Sequence, residues 1–215
     1  MSFAKDCAIA AEALEAFAAR AGTREGPVIT QPPMRQLADN LDLDRLIRDG
    51  GLTSDALAQF LDTYLASATR LVHPRYMAHQ VAVPQPTSAI AALVDGFTNN
   101  AMAIYEMGPP AATIEHVVLD WMLAKAGWRP APFPGESRPP EPHGGGVLTH
   151  GGSLANLTVL LAARGRVAPK AWAEGTPRNL VILAPATSHY SIARAAGILG
   201  LGQNALRHPP CDGDG

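Results

Sequence analysis

Apolar residues recur at three- and four-residue spacing near the start of the chain, and that spacing predicts an amphipathic helix over residues 3–20. Phe3, Cys7, Ala10, Leu14 and Phe17 form its apolar stripe, and Gly22 ends it. Pro27, Pro32 and Pro33 interrupt any regular pattern over 23–36, which reads as an extended arm. Thr53-Ser54-Asp55 can then cap a helix over 55–70, with Ala56, Phe60, Leu61, Tyr64 and Leu65 on its apolar face. His73-Pro74-Arg75-Tyr76 breaks the pattern, and Pro84 and Pro86 mark a turn. Thr87-Ser88 opens a mostly apolar helix to residue 103. Pro109-Pro110 stops the chain, and a further helix is expected over 111–126.

Residues 129–146 are dense in proline and glycine and read as a loop or linker. Beyond it the texture changes. Val147-Leu148-Thr149 is a short apolar run, 154–164 reads as a helix, and Leu180-Val181-Ile182-Leu183-Ala184 reads as a buried-type strand. Ser191 to Leu199 is helical, Gly200 and Gly202 close it, and Ala205-Leu206 begins a third strand. Alternating strand and helix predicts a parallel sheet with crossover helices. Two or three strands cannot bury both faces of such a sheet. The polar end Cys211-Asp212-Gly213-Asp214-Gly215 reads as a turn between elements. The expectation is therefore a chain that continues, or one that a second polypeptide completes.

Composition narrows the picture only in part. Hydrophobic residues make up 47% of the 215 and charged residues 17%, which excludes a disordered chain. Net charge is −2 and the basic residues are scattered, which argues against a nucleic-acid face. Cys7 and Cys211 form no metal spacing and no disulfide framework, as suits a reducing cytosol. Lys5, Asp6, Glu12 and Glu15 break up any apolar leader, and no stretch is long enough to cross a membrane.

Two segments carry candidate chemistry. Leu148-Thr149-His150-Gly151-Gly152-Ser153-Leu154 joins a strand end to a helix start. Free N–H groups at a helix N-terminus attract anions, glycines let the backbone approach closely, and a serine hydroxyl can donate to the same anion. A plain serine cap after a glycine turn explains the same residues, and the local pattern leaves both open. No lysine follows and the glycine spacing fits no nucleotide motif. The second segment, Ala186-Thr187-Ser188-His189-Tyr190-Ser191, follows the next strand. Ligands of open parallel sheets sit outside the carboxyl ends of strands. An imidazole there can stack on a planar ring or exchange a proton. The alternative is a capping segment, with Ser188 as the cap and His189 exposed.

Four stretches in order resemble the group II pyridoxal-phosphate-dependent amino-acid decarboxylases. They are HPRYMAHQ (73–80), YEMGPPAATIEHVVLDWMLAKAGW (105–128), GGGVLTHGGSLANLTVLLAAR (144–164) and VILAPATSHYSIARAAGILGLG (181–202). The resemblance implies an α/β chain of fold type I, aspartate-aminotransferase-like. Residues 1–86 would be a helical dimerisation arm, and 87–215 the first, incomplete part of the cofactor-binding large domain. It implies pyridoxal 5'-phosphate held at Gly152, Ser153 and the Leu154 backbone, with His189 stacked on the pyridine ring near the substrate carboxylate. His79 and Gln80 fall in the segment that lines the substrate pocket. Tyr105, Pro109 and Pro110 fall in a stretch that reaches toward a partner subunit. Leu154 stands where many members carry a polar or acidic residue. The family's Schiff-base lysine and the aspartate on its pyridine nitrogen come later than this sequence. Lys5, Lys125 and Lys170 lie in other contexts. The implied activity is decarboxylation of an L-amino acid in a homodimer, or with a second polypeptide completing the fold. The competing readings are another fold-type I enzyme, or a non-catalytic module acting only through a partner subunit.

Overall fold

The computed structural model describes residues 2–77, 80–137 and 141–210. Its contacts divide the chain into two units, Met1–Asn99 and Asn100–Gly215.

The first unit is helical: α1 (Phe3–Ala21), α2 (Met34–Asn40), α3 (Leu43–Asp49), α4 (Ser54–Ser67) and α5 (Pro86–Thr98). Helices α1 and α4 lie side by side. Asp6 near the start of α1 meets Ser54 at the start of α4. Ile9, Ala13 and Ala16 then line one groove with Ala58, Asp62 and Leu65. The two helices therefore run in the same direction, which is why a long connection separates them. No side chain of its own caps α4. Instead the Ser54 N–H donates to the Asp6 carboxylate at 2.9 Å, satisfying one orphan donor from another helix. The residues of α1 that face α4 are not those of the expected stripe: Phe3 of that stripe packs on Phe97 of α5 with ring centroids 4.6 Å apart, whereas Ile9 and Ala13, outside it, face α4. At the far end Arg70 donates its N–H to the Val28 carbonyl at 2.9 Å and its guanidinium to the Pro27 carbonyl. Helix α5 is shorter than expected. It starts on Pro86, where a missing N–H costs nothing, and stops where Asn99 turns left-handed at φ 48.

The second unit holds a short 3-10 turn (Tyr105–Met107), α6 (Pro109–Lys125), α7 (Gly152–Val167), α8 (Ala171–Glu174), β1 (Ile182–Leu183), α9 (Ser191–Ile198) and β2 (Leu206–Arg207). Pro109 and Pro110 do not stop the chain. They are the first two residues of α6, the position that tolerates proline. The stretch 129–146 has no regular structure, yet it is anchored. Gly144 lies so close to α6 that a Cβ there would come within 2.8 Å of Leu123, and Phe133 packs on His116 with centroids 4.5 Å apart.

β1 and β2 pair in parallel, Ile182 opposite Leu206 and Leu183 opposite Arg207, with α9 as the crossover. Small side chains make this close: Ala195 and Ala196 of α9 are buried, as are Ala171, Ala184 and Leu199. Val147-Leu148-Thr149 forms no strand. Its Leu148 N–H donates to Glu115 of α6 at 2.7 Å instead, because a strand needs a ladder partner and none is present among the described residues. The strand expected to be buried is open as well: Leu183 is 71% exposed.

Candidate functional site

Helix α7 begins on a backbone conformation that essentially only glycine adopts, Gly151 at φ 87 and ψ 163. The first intrahelical bond runs from the Ala155 N–H to the Gly151 carbonyl at 3.2 Å. The N–H groups of Gly152, Ser153 and Leu154 come before it, and none finds an acceptor among the described residues. A Cβ added to Gly151 or Gly152 would meet nothing within 4 Å. The turn thus presents three free donors and the positive end of a helix dipole to open space. The simple capping explanation fails here. Gly151 holds the cap position with no side-chain cap bond, and Ser153 lies inside the helix.

One turn further, Asn156 ties this helix to the segment after β1. Its Nδ2 donates to Ser191 Oγ at 2.8 Å. Ser191 is only 2% exposed, and its Oγ lies 2.8 Å from His189 Nδ1. The Ser191 backbone N–H donates to the same ring nitrogen at 3.3 Å. Residues three apart on a helix share a face, with Cβ atoms about 5–6 Å apart, so Ser153 and Asn156 look the same way. The glycine turn and His189 are therefore joined through two side chains. Ser188 does not cap α9. Its N–H closes a turn onto the Pro185 carbonyl at 3.0 Å. His189 is exposed, with the Tyr190 ring 4.1 Å away and the Arg194 guanidinium 4.7 Å over that ring.

Sequence reasoning singled out Gly152, Ser153, Leu154 and His189, and these lie together in the second unit. It missed Asn156 and Ser191, which fix the geometry between them. A half-buried asparagine within an alanine- and leucine-rich helix was the available signal. Gln80 belongs to the first unit, exposed and left-handed at φ 51. His79 lies outside the described residues. Tyr105 sits on the 3-10 turn, 61% exposed.

Residues 43–215 match the family described as the pyridoxal-dependent decarboxylase conserved domain. The chain belongs to that family. Among its relatives, the acidic amino acid decarboxylase GADL1 of Mus musculus is 29% identical over 188 residues, covering 86% of this chain and 31% of the relative. The L-2,4-diaminobutyrate decarboxylase of Rhizobium meliloti (strain 1021) is 32% identical over 183 residues, covering 85% of this chain and 33% of the relative. The chain thus spans about a third of the length of these curated relatives. The crystal structure of mouse CSAD superposes with a TM-score of 0.78 at 22% identity, covering 100% of this chain and 43% of that one. The glutamate decarboxylase domain from Vibrio parahaemolyticus gives a TM-score of 0.76 at 20% identity, covering 99% of this chain and 45% of that one. These likenesses show the fold: part of a fold-type I enzyme.

The family's cofactor is pyridoxal phosphate, and the second unit fits it. An open glycine turn with three unbonded N–H groups suits a phosphate. An exposed imidazole held from one edge suits a planar ring. Among the described residues no group of three or more His, Cys, Asp or Glu could hold a metal ion. No helix among them is long and apolar enough to cross a membrane.

Proposed function

We propose that this chain is part of a pyridoxal-phosphate-dependent L-amino-acid carboxy-lyase and supplies its phosphate cradle and ring-facing imidazole. The observation that supports this most is the run of free N–H groups on Gly152, Ser153 and Leu154, tied through Asn156 and Ser191 to His189. The N–H groups and the Ser153 hydroxyl hold the phosphate, and the dipole of α7 adds to the attraction. His189, anchored at Nδ1, lies against the ring and orients the substrate carboxylate. When bound, the cofactor supplies an electron sink for the pair left behind as carbon dioxide departs. His79 and Gln80 line the substrate pocket, and a homodimer or a second polypeptide completes the site in the cytoplasm. We nominate none of this chain's lysines to join the cofactor, because the family resemblance puts that lysine in a later histidine-lysine pair. Lys125 sits 5.7 Å over the Trp121 ring, Lys170 pairs with Glu174 at 3.7 Å, and Lys5 lies on α1.

The test is a titration of the 215-residue chain with pyridoxal phosphate, followed by tryptophan fluorescence. Binding saturates, and Ser153→Ala and His189→Ala each weaken it. Losing one charge-assisted hydrogen bond at Ser153 costs about 1.5–3 kcal/mol, roughly a 10- to 100-fold rise in Kd. The same preparation releases no carbon dioxide from amino acids. Binding that neither substitution changes would remove the cradle from these residues.

A further inference from the structure

The hydrogen bonds between α7 and α9 have a direction, and one group fixes it. A backbone N–H can only donate. The Ser191 N–H reaches His189 Nδ1 at 3.3 Å, so that ring nitrogen is an acceptor. The Ser191 Oγ, 2.8 Å from the same nitrogen, must then point its own hydrogen at it. With that hydrogen committed, the Ser191 oxygen can only accept from Asn156, which lies 2.8 Å away. Asn156 therefore presents its NH2 and not its carbonyl. Every donor in the series points the same way, from α7 through Ser191 to the imidazole. A neutral imidazole that accepts at one nitrogen carries its proton on the other.

We infer that Asn156 and Ser191 are positioning residues that lock neutral His189 in the Nε2–H tautomer, so that it presents a donor, not a base, to whatever lies against it. The arrangement is built for persistence. Ser191 is 2% exposed, so water cannot readily replace the hydroxyl, and Asn156 is half-buried on a helix that cannot rotate without moving the glycine turn. His189 itself is exposed, and its Nε2 makes no hydrogen bond among the described residues. The same series couples two jobs. The helix whose first turn faces the phosphate is also the one that sets the imidazole's proton. The bearing of this on decarboxylation rests on the function proposed above. The tautomer itself does not, because it is a property of the chain without cofactor.

The experiment reads the tautomer directly. The intact chain is labelled with 15N-histidine, and the His189 ring is followed by long-range 1H–15N correlation at neutral pH. Its signals are assigned by their loss in His189→Gln. In the unsubstituted chain Nδ1 shows the resonance of a bare nitrogen and Nε2 that of a protonated one. Asn156→Asp then tests the lock. It has nearly the same shape but can only accept, so the Ser191 hydroxyl turns toward it and its oxygen, left as an acceptor, favours a proton on Nδ1. The Ser191 N–H still donates to Nδ1, so the two forms compete, and the Nδ1 and Nε2 resonances move toward each other instead of keeping the parent's wide separation. A group that merely held α7 against α9 would leave the pattern unaltered. An unsubstituted chain with the proton on Nδ1 overturns the inference, even if the variant fails to fold. So does a folded Asn156→Asp variant with the pattern of the parent. Loss of cofactor binding with the tautomer intact would count against the proposed function alone.

Discussion

At the scale of single residues, the site depends on a backbone angle as much as on side chains. Gly151 at φ 87 and ψ 163 lies in a region closed to other residues, and forcing a side chain into it costs about 1–3 kcal/mol. Space is no obstacle, since a Cβ there meets nothing within 4 Å. Gly151→Ala therefore acts through conformation alone. It is expected to lower unfolding free energy by that amount in urea, and to weaken pyridoxal phosphate binding more than Ser153→Ala does. The reason is that a relaxed turn re-aims three N–H groups, whereas the serine substitution removes one hydroxyl. An unchanged affinity in Gly151→Ala would show that the turn is not the cradle. Much of this was legible in the sequence. Two glycines and a serine before a helix left an anion turn and a plain cap both open, and the four stretches that resemble the decarboxylases singled out the turn and His189 together. What the sequence could not show is how the two are linked. Asn156 and Ser191 are 35 residues apart, and no local pattern tells a buried hydrogen bond from a solvated one.

At the scale of elements, α1 and α4 were readable because each has a periodic apolar face, whereas α6 and α7 lack one and were legible as long runs free of internal proline. The errors cluster where proline or a missing neighbour decides the outcome. Pro109 and Pro110 suggest a stop, yet proline at the first turn of a helix loses no hydrogen bond, and α6 starts there. Helices α2, α3 and α8 have seven, seven and four residues, too short for periodicity to stand out. The apolar run at Val147 lacks a ladder partner, and its amide turns to Glu115. The cap of α4 also depends on a distant partner. Thr53-Ser54-Asp55 resembles a local cap, but the acceptor is Asp6 on α1. Asp6→Ala is accordingly expected to cost about 0.5–2 kcal/mol, measured as a lower urea midpoint with an unchanged slope. Asp55→Ala serves as the control, with a smaller effect. An equal loss in both would remove Asp6 from the cap.

At the scale of the whole molecule, the surface is larger than the chain's size explains. Two separate compact units, each of half its mass, would together expose about 11,500 Å². The chain exposes 16228 Å². Large apolar side chains account for much of the exposed set, among them Ile90 and Phe97 of α5, Ile114 and Trp121 of α6, and Leu183 of β1. Parallel strands are found almost only with both faces covered, and among the described residues Leu183 of β1 is left 71% exposed. In isolation the 215-residue chain is expected to bind a hydrophobic dye strongly and to elute from a sizing column as a broad, concentration-dependent species. A sharp monomer that ignores the dye would contradict this. The Asp6 cap adds a consequence in time. The carboxylate lies 48 residues ahead of the amide it receives, so on a ribosome it emerges before the helix that needs it. Where chains fold from the N-terminus as they are made, α4 never has to start on an unfilled donor. Its first turn can close on a waiting partner, and α1 acts as the template for its successor.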